Sequence, residues 1–241
     1  MAFYTYTYKV KLEDIGSENT MTNHAFLSYL EDIAAMHSEQ VGMGITNMQQ
    51  TGLTWVLLQW KLSIQKRIPY GSELTVRTWA RYTKKFYSYR DFEVVDSNGD
   101  IIAIASSKWT LINMHTASLE KITDDIMLPY QSEPKSVFDE LEMQKLTEPT
   151  QATPTYSFTV PRTYIDVNGH VHNLYYLTLA YETLPEEVYA NGEYAHVEIL
   201  FKKEMKLGDS VTCLYAYENN AHYVVIRSAD NSTLHAIVKL Y

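Results

Sequence analysis

The stretch GLTWVLLQWKLSIQKRIPYGSELTVRTWARY, residues 52–82, reads as a strand, a Pro69-Tyr70-Gly71 turn and a second strand. Its aromatic and β-branched runs suit a pleated, half-buried surface, and the proline and glycine supply the two backbone conformations that a reversal needs. Residues 196–218, HVEILFKKEMKLGDSVTCLYAYE, repeat the pattern. Gly208 stands 137 residues after Gly71, and the same offset carries Leu62 onto Ile199 and Ile64 onto Phe201 without a gap. The chain holds one unit twice.

Outward from that pair the two halves keep the same order. The opening MAFYTYTYKVKLED alternates aromatic or apolar with polar residues, as a first strand does, and lacks the apolar block of a secretory signal. Asn23 then precedes AFLSYLEDIAAMHSEQVGM, with Phe26, Leu27, Leu30, Ile33, Ala34 and Val41 at helical spacing, and serves as its expected N-cap. Two further strands follow, FYSYRDFEVVD and IIAIASSKWTLINM, joined by a Ser97-Asn98-Gly99-Asp100 turn. In the second half come the strand YSFTVPRTYI, the loop DVNGHVHN, the helix LYYLTLAYETLPEEVY and strands that close with HYVVIRS and LHAIVKLY around Asp230-Asn231-Ser232. Asn173 stands 150 residues after Asn23, and the longer loop MGITNMQQTG of the first half absorbs the difference between the two offsets. Repetition at this length is domain duplication.

Between the halves, Pro129, Pro134, Pro149 and Pro154 mark an extended connector, with a short helix expected around Val137–Gln144. The expected division is therefore a first domain at 1–128, a linker at 129–155 and a second domain at 156–241. Strand, helix, then a run of antiparallel strands is the hot-dog order, in which a sheet wraps a central helix and buries its apolar face. The predicted fold class is α+β: a tandem hot-dog with antiparallel sheet around two central helices. Each single unit leaves sheet edges that a second unit can pair.

Composition sets outer bounds. With 241 residues, 46% hydrophobic and 20% charged, the chain reads as a soluble globular protein, and no stretch approaches the roughly 20 apolar residues of a membrane helix. The formal charge of −9 speaks against a general nucleic-acid binder. One cysteine, Cys213, excludes an internal disulfide and fits a reducing cytoplasm. His24, His37, His115, His196, His222 and His235 lack metal-ligand spacing, and no glycine-rich nucleotide fingerprint exists, so no cofactor is expected.

The segment Tyr164-Ile165-Asp166-Val167-Asn168-Gly169-His170-Val171-His172-Asn173 gathers functional groups just before the second helix. Asp166, Asn168 and His170 fall at every second residue, which in an extended segment aims them at one side. An acid, an amide and an imidazole packed so densely point to chemistry. Asn173 and His172 read instead as helix caps.

DVNGHVHNLYYL resembles the Asp-x-Asn-x-His motif in the second hot-dog domain of the acyl-acyl carrier protein thioesterases, which plant members write much like DVNQHVNN. FKKEMKLGDSV resembles that family's YRRECGRDSV, and the resemblance places the family's catalytic glutamate on Glu204. The likeness spans nearly the whole chain. Two positions depart: His172 stands where the family usually has asparagine, and Met205 stands where many plant members have cysteine. A thioether cannot become a thiolate, and Cys213 reads as a small core residue, so the expected nucleophile is water.

The implied activity is hydrolysis of fatty acyl-carrier thioesters, with Asp166, Asn168, His170 and Glu204 as the catalytic set and either carboxylate as general base. The mirrored positions Gly16, Glu18, Thr20 and Arg67 hold no such constellation, so one site is expected, supplied mainly by the second half, with the first half shaping the acyl pocket. The implied partner is an acyl carrier protein, itself acidic, and Arg81, Lys84, Lys85, Lys202 and Lys203 are the docking candidates. Neither nucleic acid nor membrane insertion is implied, and the reading leaves room for a homodimer of the double unit. An acyl-CoA thioesterase, a hot-dog hydratase and a non-catalytic acyl-binding module are the alternatives.

Overall fold

The computed structural model describes residues 2–241; Met1 and the Tyr82 side chain lie outside the described residues. The chain divides into two compact units, Met1–Met143 and Gln144–Tyr241.

In the first unit β1 (Tyr4–Lys9), β2 (Leu53–Ile64), β3 (Glu73–Lys84), β4 (Tyr87–Asp96) and β5 (Ile101–Asn113) form an antiparallel sheet in the order β1-β3-β4-β5-β2, and the short β6 (Ser118–Glu120) turns back to pair with the end of β5. The register sets Val76 opposite Val94 and Phe92 opposite Ala105, which keeps the apolar sets on one face. Helix α1 (Asn23–Gln40) packs on β1 and β3. Its buried stripe includes Phe26, Leu27, Leu30, Ile33 and Ala34, and each of the large side chains contributes about 1.5–3 kcal/mol of burial.

The helix starts one residue earlier than Asn23 implies. Thr22 is the N-cap, accepting the Ala25 N–H at 3.1 Å, and Asn23 is the first helical residue, buried, with its amide oxygen taking Arg67 Nη2 at 2.7 Å. The loop after α1 is partly helical, with a 3₁₀ turn at Ile45–Asn47 and α2 (Met48–Thr51).

The segment expected to join the halves is held by both units, and residues Val137–Gln144 form bends rather than the expected helix. After α3 (Asp124–Met127), residues 133–142 cross the sheet of the first unit: Glu133 N bonds Ala80 O at 2.9 Å, Val137 N bonds Asp91 Oδ2 at 2.9 Å, and Arg81 Nη2 bonds Leu141 O at 3.0 Å. This strap explains why nearly all of β4 is buried on both faces. Further on, Leu146 packs with Leu200 and Ile237, Glu148 pairs with Arg227 at 2.7 Å, and Thr150 N bonds Glu218 at 2.8 Å, all inside the second unit.

In the second unit β7 (Thr153–Thr159), β8 (His196–Phe201), β9 (Ser210–Glu218), β10 (Ala221–Ser228) and β11 (Leu234–Leu240) run in the order β8-β11-β10-β9-β7. That is the first unit's topology strand for strand. Asn219 and Asn220, both at positive φ, make the two-residue β9–β10 hairpin turn that matches strand twist. The expected helix over LYYLTLAYETLPEEVY is broken: α4 (Leu174–Thr183) stops before Leu184-Pro185, and α5 (Glu186–Tyr189) is one turn. Among the described residues no helix is long and apolar enough to cross a membrane.

Candidate active site

Each unit threads a tight loop between its first strand and its helix, and the two loops share one backbone. In the first, Gly16 N bonds Thr20 O at 3.0 Å and Asn19 N bonds Gly16 O at 3.0 Å. In the second, 150 residues later, Asp166 N bonds His170 O at 2.8 Å and Gly169 N bonds Asp166 O at 3.1 Å. Asn19 and Gly169 occupy the left-handed region at φ 58° and 78°, which asparagine and glycine tolerate best. Bridges Ile15–Met21 and Ile165–Val171 close the two loops.

This geometry corrects the extended reading of Asp166, Asn168 and His170. The segment is a turn, and Asp166 sits at its centre. Its Oδ1 accepts Asn168 N at 2.8 Å and His170 N at 3.2 Å, and Oδ2 accepts Asn168 Nδ2 at 3.3 Å. The imidazole of His170, half-buried, makes no hydrogen bond among the described residues. His172 occupies the place of Thr22 and caps α4, with Leu174 N reaching its Nδ1 at 3.4 Å, whereas Asn173 has helical φ and ψ and no capping side-chain bond.

Glu204 comes to this loop through the backbone. Val171 N bonds the carbonyl of Met205 at 2.9 Å, as Met21 N bonds Ile68 O at 2.9 Å in the first unit. The Glu204 side chain is exposed and lines an open depression of about 400 Å³ together with Lys203, Asp230 and His235. Asp166, Asn168 and His170 do not line that depression. At the place of Glu204 the first unit has Arg67, whose Nη1 donates to Met21 O at 2.8 Å.

One residue outside the motif belongs to this junction. Tyr176, on the first turn of α4, accepts Met205 N–H on its hydroxyl at 3.1 Å. The signal in the sequence is the repeat itself, because 150 residues earlier stands Phe26, the same ring without the hydroxyl.

Cys213 is fully buried on β9, and burial pushes its thiol up to about 11. It offers no thiolate near neutral pH. Among the docking candidates, Lys84, Lys85, Lys202 and Lys203 are exposed, with Lys84 Nζ 2.7 Å from Glu142. Arg81 is not a surface residue. It is 3% exposed, lies 3.1 Å from the fully buried Asp91 and donates to Ser136 at 2.5 Å, because the strap covers that face of the sheet.

The family model of the acyl-ACP thioesterase N-terminal domain matches residues 2–130, and that of the C-terminal domain matches residues 147–238. The chain belongs to the acyl-ACP thioesterase family. It is 26% identical over 228 residues to oleoyl-acyl carrier protein thioesterase 1 of Arabidopsis thaliana, covering 88% of this chain and 63% of the relative. It is 25% identical to a palmitoyl-acyl carrier protein thioesterase of Cuphea hookeriana, covering 82% and 50%. This chain thus spans less than two thirds of the length of those plant relatives. An acyl-ACP thioesterase from Bacteroides thetaiotaomicron shares the fold at TM-score 0.87 with 22% identity, covering 99% of this chain and 97% of the other. The 12:0-ACP thioesterase of Umbellularia californica does so at TM-score 0.87 with 19% identity, covering 100% and 96%. These likenesses identify the acyl-ACP thioesterase fold, two hot-dog units in one chain.

Proposed function

We propose that this protein hydrolyses fatty acyl-carrier thioesters to free fatty acid and carrier protein in fatty-acid biosynthesis, with water as the nucleophile. One observation carries the reading. The two loops have the same backbone, yet Gly16, Glu18 and Thr20 suffice to build one, while the other carries Asp166, Asn168 and His170. Folding does not require those three side chains, so their role is sought in chemistry.

The roles follow from which lone pairs are free. Both oxygens of Asp166 are engaged by loop donors, so it orients the loop. Glu204 makes no side-chain hydrogen bond among the described residues, and we assign it as the base that takes a proton from water. The water oxygen bonds the thioester carbon and charge builds on the carbonyl oxygen. As the carbonyl re-forms the C–S bond breaks, and the departing thiolate takes back the proton held by Glu204 and leaves as the carrier's thiol. His170, whose imidazole is uncommitted, orients the water and supplies an N–H to the developing charge. The buried, protonated Cys213 supports water over an acyl-enzyme. The same reading takes an acyl carrier protein as partner, with the exposed Lys84, Lys85, Lys202 and Lys203 as candidate contacts for its acidic surface. It also places the enzyme in the cytoplasm, which the lone free cysteine supports.

The test is thiol release from matched acyl-carrier and acyl-CoA substrates. His170→Ala and Glu204→Ala are expected to lose about 10²–10⁴-fold in turnover while staying folded. Carrier-substrate affinity falls with salt, and falls again when Lys84 and Lys85 are reversed to glutamate. Near-normal turnover by a well-folded His170→Ala removes the site. Equal rates and equal salt responses for both substrates move the reading to an acyl-CoA thioesterase, and saturable acyl binding without turnover moves it to a binding module.

A further inference from the structure

The residue that follows Glu204 is held through both of its backbone polar groups. The N–H of Met205 is held by the hydroxyl of Tyr176 at 3.1 Å, and its carbonyl is held by Val171 N–H at 2.9 Å. The Met205 side chain is fully buried, and the Tyr176 ring, 3% exposed, meets Phe201 edge-on with centroids 5.3 Å apart. One clamp comes from the helix and the other from the end of the Asp166–His170 loop. Glu204 therefore leaves the backbone from a point fixed to both.

The first unit builds the same crossing without the hydroxyl. Phe26 fills the place of Tyr176 and is buried, and Ile68 O still accepts Met21 N–H at 2.9 Å. A phenyl ring satisfies the packing of this junction. The oxygen is added only in the unit that carries Glu204. At the mirrored position Arg67 anchors itself, donating to Met21 O at 2.8 Å and to Asn23 Oδ1 at 2.7 Å. A carboxylate at position 204 cannot donate to such acceptors, so its backbone needs another fastening.

We propose that Tyr176 is a positioning residue that fixes Glu204 against the Asp166–His170 loop through the backbone N–H of Met205. The proposal rests on the reading of Glu204 as the base. Burial, reinforced by the charges of Glu204, Asp209 and Asp166, pushes the phenol up to about 12, so the group that accepts Met205 N–H is a neutral hydroxyl. Preorganising a base in this way acts on the chemical step more than on substrate binding.

The experiment compares Tyr176→Phe, Glu204→Gln and the double variant in single-turnover and steady-state assays, with melting curves for each. Tyr176→Phe is expected to lower kcat about 10-fold or more with KM within about 2-fold, since loss of orientation alone carries penalties of this size and above. The double variant is expected to be no slower than Glu204→Gln, because the tyrosine acts through the glutamate. Tyr176→Leu, which also removes the ring, lowers the Tm further without lowering kcat further. An unchanged kcat in Tyr176→Phe, alongside a collapsed Glu204→Gln, overturns the positioning role. Independent, multiplying effects in the double variant overturn it as well. Near-normal turnover by Glu204→Gln removes the glutamate assignment itself, and the positioning role with it.

Discussion

Arg67 donates from Nη1 to the carbonyl oxygen of Met21 at 2.8 Å, at the position where the second half of the chain carries Glu204. One unit spends this position on holding itself together, and the other presents a free carboxylate there. Arg67→Ala is therefore expected to cost about 1–3 kcal/mol, because the Met21 and Asn23 acceptors lose a charged donor. Single-turnover hydrolysis should stay close to normal, because Arg67 stands in the unit whose loop lacks the acid, amide and imidazole side chains. Denaturant melts and rapid-quench kinetics on one preparation check both halves, and a collapse of the chemical step would mean that the first unit holds a working site.

Asp166→Ala is expected to remain folded yet lose activity. Gly16, with no side chain, already supports the same loop backbone, so the carboxylate is dispensable for the turn. Its removal frees the Asn168 and His170 N–H groups and loosens the imidazole's position. A drop of about 10²-fold in kcat with an unchanged far-UV spectrum is the anticipated result. A melting point that falls in step with activity would assign Asp166 to stability instead.

Cys213→Ser should keep most of the activity. The thiol is buried and held protonated, and the side chain of Thr183 gives a serine hydroxyl a partner. Intact-mass spectrometry during turnover is expected to show no acyl adduct. An acyl group trapped on Cys213 would overturn the water mechanism.

The first unit's stability should fall with pH on the acid side of neutrality. His37 is 1% exposed, and burial together with the Arg90 charge pulls its imidazole down to about 3. Arg90 Nη1 lies 3.0 Å from His37 Nδ1, so Nδ1 must accept and the neutral ring carries its proton on Nε2. In the unfolded chain the same ring protonates near 6.5. Between that value and about 3 the unfolded state binds the extra proton, so stability is full above 6.5 and declines as the pH drops, on the order of 1.4 kcal/mol per pH unit. Urea melts at pH 7, 6 and 5 should show a shallower decline in His37→Gln than in the parent, with equal slopes counting against the assignment.

The duplication was legible because both halves repeat the strand-turn-strand pattern around Gly71 and Gly208, and strand order follows from pairing that pattern with a buried helix face. The motif loop was legible as a cluster but not as a shape. Alternation at Asp166, Asn168 and His170 mimics a strand, and only the left-handed φ of Gly169 turns it. Arg81 misleads for a different reason. Its neighbours Thr83, Lys84 and Lys85 suggest a solvated face, whereas its burial is imposed by Ser136 and Leu141, some 55–60 residues away, which no local pattern reports. Tyr176 hides in plain composition, since a tyrosine on a buried helical face ordinarily signifies packing.

The strap of residues 133–142 decides where the gene can be cut. Arg81 and Asp91 meet under it, and Asp91 Oδ2 takes its backbone bond from Val137. A fragment terminated near residue 128 would open that ion pair to water, strip Trp79 of the bond from its indole to Lys135 O at 2.9 Å, and lay bare a face that β4 keeps dry. Such a fragment invites aggregation through its uncovered strands. Expression boundaries for the first half therefore belong after Met143, on the far side of the last residue that grips the sheet.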